Sequence, residues 1–205
     1  MRRARSRHDA ERLGSTRQGE GGAPAALTLC LLLALAACGG GSDDVAGGAT
    51  DLPGPVPDGV VYAKAPADAP RAPPFAAELL DGTAISASDL WRERPLVLVF
   101  TASWCKRCAE SHRDAADAVD EHDDALAVLG IVAEEDAQAA RDYADKLDLG
   151  QPIAVASERV WLDYAAREPP VVVLISRGGR VLRGWVGGVP REVLARRLDE
   201  LVERP

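Results

Sequence analysis

The chain has 205 residues and a mass of 21.6 kDa, enough for one domain with tails and too little for a multidomain assembly. Its 24 Lys and Arg stand against 32 Asp and Glu, a net charge of −8 that repels phosphate backbones and argues against a nucleic-acid partner. With 47% apolar but only 4% aromatic residues, any core has to be built mainly from Ala, Val, Leu and Ile.

Residues 1–22 carry Arg2, Arg3, Arg5, Arg7, Arg12 and Arg17 ahead of an apolar run at 23–37, the pattern of a secretory signal. That run is shorter than the roughly 20 residues that span a bilayer, so 1–37 reads as a cleaved signal peptide. Its end, Leu35-Ala36-Ala37-Cys38-Gly39, resembles the lipobox of bacterial lipoproteins. The resemblance implies lipidation of Cys38 and an anchor on an extracytoplasmic membrane face. Residues 39–74 hold seven of the fourteen prolines and seven of the nineteen glycines with little apolar periodicity. Residues 38–74 are therefore expected to form a lipidated, disordered tether, with a reach on the order of 30 Å. Cys30 leaves with the signal and Cys38 carries lipid. Cys105 and Cys108 are then the thiols of the mature chain, and in an oxidising compartment two at this spacing are expected to be a working redox pair.

From residue 75 the pattern becomes alternating strands and helices, and 75–205 is expected to be one domain. Segments 77–80 and 83–86 around Asp81-Gly82 read as a hairpin, and Ser88-Asp89-Leu90 as the start of a short helix ended near Pro95. The apolar runs at 96–100 and 126–132 suit parallel strands covered on both faces, and the composition from Cys105 to about Asp123 is helical. Asp136 can cap a helix through Leu147, stopped at Asp148-Leu149-Gly150. A strand at 153–156 and a helix from Ser157 to Tyr164 follow. Segments 171–176 and 181–187, joined by Arg177-Gly178-Gly179-Arg180, read as a second hairpin. A last helix begins at Pro190, with Val193, Leu194, Leu198, Leu201 and Val202 on one stripe. The fold class is α/β: a central sheet, part parallel and part antiparallel, with helices on both faces.

The chemistry is carried by Trp104-Cys105-Lys106-Arg107-Cys108, placed directly after a strand and at the opening of a helix. A cysteine at a helix N-terminus lies near the positive end of the macrodipole, and Lys106 and Arg107 add charge. Both favour thiolate over thiol at Cys105 and mark it as the nucleophile. Cys108, one turn on, is spaced to close a disulfide and to resolve a mixed disulfide. A zinc site would need two further ligands. Only His112 shares the helix, four residues after Cys108, and it reads as a solvated helix histidine.

Taken with these residues, the sequence resembles the thioredoxin superfamily, in particular its TlpA-like, membrane-anchored thiol:disulfide oxidoreductases. The resemblance runs from about Ala72 to Val202. It rests on Ala72-Pro73-Pro74-Phe75, Leu80-Asp81-Gly82-Thr83, Ser88-Asp89-Leu90, Phe100-Thr101-Ala102-Ser103-Trp104-Cys105, Pro170 ahead of an apolar strand, and Gly178-Gly179-Arg180-Val181. It implies a thioredoxin fold with an N-terminal hairpin extension and an inserted helix and strand between 136 and 156. It implies that Pro170 is a cis-proline facing the disulfide, that Glu168 and Pro169 line a substrate groove with it, and that Trp104 packs beside the disulfide. It implies no cofactor or metal, exported proteins as disulfide or thiol substrates, a membrane electron carrier that resets the cysteines, and reduction as the favoured direction. Three departures stand out. Val99 occupies the place of the buried acid that thioredoxins carry in the strand before the motif. Ser111 stands where many TlpA-like proteins have Glu. The dipeptide between the cysteines lacks the proline common there. The alternative is a copper-handling protein on this fold, with the two thiolates as soft ligands for Cu(I). A peroxidase is disfavoured, because peroxiredoxin-like proteins place Thr three and Pro seven residues before the reactive cysteine, where this chain has Ala102 and Leu98.

Overall fold

The computed structural model of the chain describes residues 45–133, 137–148 and 150–203. The expected signal peptide at 1–37, the lipidation site Cys38 and the first part of the tether lie outside those residues, as does Asp136, the expected helix cap.

Two apolar strands form the centre of the sheet. All of β4 (Leu96–Phe100) and nearly all of β5 (Ala127–Ala133) is buried, and the two pair in parallel from Leu96 with Ala127 to Phe100 with Ile131. Such continuous runs are what a strand covered on both faces requires. β5 pairs in parallel with β6 (Ile153–Ala156), and β6 carries the antiparallel hairpin of β2 (Ala76–Leu79) and β3 (Ala84–Ser86). On the other side β4 pairs antiparallel with β7 (Val171–Ile175), which turns back into β8 (Val181–Val186). The order is β3-β2-β6-β5-β4-β7-β8, the mixed sheet expected from sequence.

The two-residue period of the strands separates the two faces. Leu96, Leu98, Phe100, Leu129 and Ile131 pack with Trp91 of α1 (Ala87–Glu93) and Val160 of α4 (Glu158–Asp163). Val97, Val99 and Val128 pack with Ala115, Ala118 and Val119 of α2 (Cys108–Asp120) and with Leu194 and Leu198 of α5 (Arg191–Asp199). Leu194 and Leu198 are both 0% exposed, so each contributes roughly 1.5–3 kcal/mol to holding α5 on the sheet. Beside α2, α3 (Ala137–Leu147) lays Ala140, Tyr143 and Ala144 on Val132 and Ile153.

The described part of the expected tether is not a free chain. Residues 45–74 lie along the domain, held by individual hydrogen bonds instead of a periodic apolar face. The amide of Ala49 donates to the Asp81 carboxylate at 2.8 Å, and the buried Arg94 guanidinium donates to the carbonyl of Gly54 at 2.7 Å and to that of Asp124. β1 (Val61–Tyr62) pairs with β9 (Val202–Glu203). The amide of Ala72 donates to Gly179 O at 3.0 Å, and Ala72 itself is buried. A Pro- and Gly-rich composition removes helix and sheet periodicity, but it leaves carbonyls and amides available for such one-by-one docking.

Candidate active site

β4 ends at Phe100, and residues 101–107 turn the chain into α2. Two tight turns close first: the Cys105 amide donates to Ala102 O at 3.0 Å and the Cys108 amide to Cys105 O at 3.2 Å. The helical ladder begins only with the Ser111 amide on Arg107 O at 3.1 Å. The helix expected to open at Cys105 therefore starts at Cys108, and Cys105 stands just ahead of its N-terminus, in front of the positive end of the dipole. Cys105 is half-buried, Cys108 is fully buried, and a disulfide joins them with the Cα atoms 5.3 Å apart.

The Pro169–Pro170 peptide bond is cis, as the resemblance implies. Cys105 Sγ lies 3.5 Å from the carbonyl oxygen of Pro169. The carbonyl of Pro170 accepts the amides of Gly187 and Gly188 at 2.8 and 3.1 Å, so the loop from β8 to α5 is fastened to the proline turn. Position 188 needs glycine: its φ is +88°, and a Cβ there would lie 2.8 Å from Ser111 Oγ.

The structure thus brings together Cys105, Cys108, Pro169 and Pro170. Glu168 is exposed at the rim. Trp104, directly before Cys105 in the turn at 103–104, is 73% exposed. Val186, the β8 partner of Val171 next to Pro170, is 78% exposed. Lys106 and Arg107 are also exposed, and Glu110 points to solvent on the first turn of α2.

His112 corrects a second expectation. It is not solvated but fully buried, its ring stacked on Tyr143 of α3 with centroids 6.2 Å apart. Tyr143 in turn accepts a hydrogen bond from Thr101 Oγ1 at 2.8 Å. The helix face that carries Cys108 turns toward α3 and β5, a placement the sequence does not specify. Neither ring nitrogen has a hydrogen-bond partner, and Ser111 Oγ has none either. Burial, reinforced by the Arg113 charge, lowers the proton affinity of His112 to a pKa of about 4, so the imidazole is neutral at physiological pH. Sequence reasoning missed the importance of this turn. The available signal was the spacing of Ser111 and His112, three and four residues after Cys108, together with a glycine at 130 inside an otherwise apolar strand. Among the described residues, no three His, Cys, Asp or Glu side chains are placed to hold a metal ion. No helix among them is long and apolar enough to cross a membrane.

A family model for the AhpC/TSA family matches residues 69–182. The thioredoxin-like protein YneN of Bacillus subtilis is 27% identical over 132 residues, covering 63% of this chain and 77% of that protein. A thiol-disulfide oxidoreductase from Bacteroides fragilis superposes with a TM-score of 0.55 at 27% identity, covering 63% of this chain and 98% of the other. The pneumococcal exposed lipoprotein thioredoxin of Streptococcus pneumoniae superposes with a TM-score of 0.56 at 24% identity, covering 63% and 100%. The fold is the thioredoxin fold.

Proposed function

From the premise that the chain belongs to the AhpC/TSA family and is a thioredoxin-like thiol:disulfide oxidoreductase, we propose that it works as a TlpA-like enzyme outside the cytoplasm, reducing disulfides of exported proteins. Cys105 is the nucleophile and Cys108 the resolving thiol. Trp104, Glu168, Pro169 and Pro170 receive the substrate polypeptide, Cys38 carries the lipid anchor, and a membrane electron carrier returns the oxidised pair to its thiols.

The observation that carries this reading is the asymmetry of the pair. Cys105 is half-buried ahead of a helix N-terminus with its sulfur 3.5 Å from the Pro169 carbonyl, and Cys108 is fully buried in the first helical turn. An incoming disulfide can therefore meet Cys105 alone, which fixes the order of attack and resolution. The exposed indole of Trp104 and the nearby Val186 offer apolar surface to an unfolded or extended partner.

The test has two parts. A Cys108→Ser variant should retain exported proteins as mixed disulfides on Cys105 that dithiothreitol releases, and failure to retain any removes the exchange reading. The reduction potential of the pair, measured against glutathione, should fall near the thioredoxin value of about −270 mV. A value near about −120 mV would reverse the direction assigned here.

A further inference from the structure

Buried polar atoms without partners are rare in folded proteins, and here they are concentrated in one place. Among the described residues four buried side-chain polar atoms lack a hydrogen-bond partner: Trp161 Nε1, Ser111 Oγ and both ring nitrogens of His112. Three of the four therefore belong to the turn of α2 that follows Cys108. Cα–Cβ bonds in a helix tilt toward its N-terminus, so side chains three and four residues on lean back over Cys108, with Cβ atoms about 5–6 Å apart.

The seat of the imidazole is built for it. Gly130 lies in the central strand β5 directly opposite Val99, and a Cβ at Gly130 would come 2.7 Å from His112 Cε1 and 3.2 Å from Nε2. The strand gives up a side chain, at a cost to its own stability, and the ring fills the space. The charge that acts on the ring is that of Arg113. α3 presents Tyr143, with the Thr101 hydroxyl at the end of β4 bonded to it, and β6 presents Ile153. The helix itself contributes Arg113, Ser111 and Cys108. None of them is a carboxylate, and Val99 supplies none from β4.

We propose that His112 is the buried proton acceptor for Cys108, taking its thiol proton, directly or through one water, when Cys108 resolves the mixed disulfide. The inference rests on the disulfide-exchange reading above and assigns a residue to its second step. In the first step the Cys105 thiolate attacks a substrate disulfide. A Cys105–substrate bond forms, the substrate S–S bond breaks, and the released substrate thiolate is protonated by water. In the second step the Cys108 proton moves to the neutral imidazole and the Cys108 thiolate attacks Cys105 Sγ. The Cys105–Cys108 bond forms, the Cys105–substrate bond breaks, and the second substrate thiolate leaves with the electron pair. The leaving thiolate takes a proton from solvent, and the imidazolium returns one to solvent as the site closes. Two protein thiols are oxidised and one substrate disulfide is reduced. The ring is neutral and so free to accept, and the thiolate formed beside it is the opposite charge that the disulfide form lacks, which raises the proton affinity of the imidazole during the transfer. The partner missing from the disulfide form is supplied when Cys108 becomes a thiol.

Stopped-flow reaction of the reduced protein with 5,5′-dithiobis(2-nitrobenzoate) separates the steps. Attack by Cys105 releases one thionitrobenzoate and resolution by Cys108 releases the second. Release by a Cys105→Ser, Cys108→Ser double variant is subtracted to remove the signal of Cys30 and Cys38. In His112→Gln the second phase should slow by roughly 100-fold at pH 7 and become proportional to hydroxide, with the first phase unchanged within about twofold. An unchanged second phase, or equal slowing of both, overturns the assignment of His112 while leaving the exchange reading intact. Absence of the first phase overturns both. Should the variant not fold, the wild type decides: in D2O the second phase should slow about twofold and the first should not. Equal insensitivity of the two phases overturns the proposal.

Discussion

His112 in the second turn of α2 and His122 just past its last turn are both withdrawn from water, at 0% and 4% exposure, yet only one is satisfied. His122 has Nδ1 3.2 Å from Ala118 O and Nε2 3.1 Å from Asp199 Oδ1, which ties the end of the helix to α5. His112, ten residues earlier, has neither nitrogen matched. A buried imidazole with two partners is a fastening. A buried imidazole with none, one turn from a cysteine that gains and loses a proton, is a group whose partner belongs to another state of the protein. The two ends of α2 thus divide into chemistry at the N-terminal end and stability at the C-terminal end, and substitutions should separate them.

The largest effect is expected at the N-terminal end. Cys105→Ser removes the nucleophile, and turnover of insulin disulfides should fall by about a thousandfold or more, to the uncatalysed rate. Its melting temperature should match that of the reduced wild type, because Cys105 lies in the turn before the helix and outside the packed clusters. Retained turnover would move the chemistry away from this end of the helix.

Acid should act through the unmatched histidine. Burial first and the Arg113 charge second hold the folded His112 pKa at about 4, below the ordinary 6.5. Folding therefore favours the neutral ring. The stability this contributes is complete above pH 6.5 and is lost as pH falls through 4, an amount on the order of 3 kcal/mol. Urea unfolding of the oxidised protein at pH 7 and pH 4 should show His112→Gln losing less on acidification than wild type by about that much. Identical losses would mean that the imidazole takes up its proton freely in the folded state.

Much of this was legible in the sequence. The runs at 96–100 and 126–132 had to be buried strands, because nothing amphipathic or polar interrupts them. The Asp81-Gly82 and Gly178-Gly179 turns marked both hairpins, and the cis bond at Pro170 was implied by the family resemblance. The remainder depended on contacts that no local pattern encodes. Residues 45–74 dock through single bonds to Asp81, Arg94 and Gly179, each distant in sequence. Which face of α2 is buried at residue 112 is decided by Tyr143 arriving on another helix and by Gly130 leaving room on the strand below. Two turns precede α2, and a propensity reading starts that helix three residues too early.

The fit between His112 and β5 can be probed from the strand. In Gly130→Ala the new Cβ would meet His112 Cε1 at 2.7 Å and Ile153 Cγ1 at 3.1 Å, neither the tip of a flexible chain. Overpacking of this kind costs about 1–3 kcal/mol. Chemical denaturation should show that loss, and the second phase of the thionitrobenzoate reaction should slow more than the first. A neutral result in both would mean that the ring moves aside readily and that its seat is not specified.

The smallest effect belongs to the satisfied histidine. Asp199 is the exposed member of its pair with His122, with 71% of its side chain in solvent against 2% for the histidine. Replacing it by alanine removes one acceptor, but the space its 71% exposed side chain leaves is open to solvent, so water can enter and take over the bond. Surface pairs of this kind contribute about 0–1 kcal/mol, so Asp199→Ala should lower stability by no more than about 1 kcal/mol in urea titrations. Both phases of thiol exchange should keep their wild-type rates and pH profiles, because the fastening lies at the opposite end of the helix from the disulfide. A slowed resolution step in this variant would show that α2 transmits a change at its C-terminus to Cys108, and the division of the helix into a chemical end and a structural end would not hold.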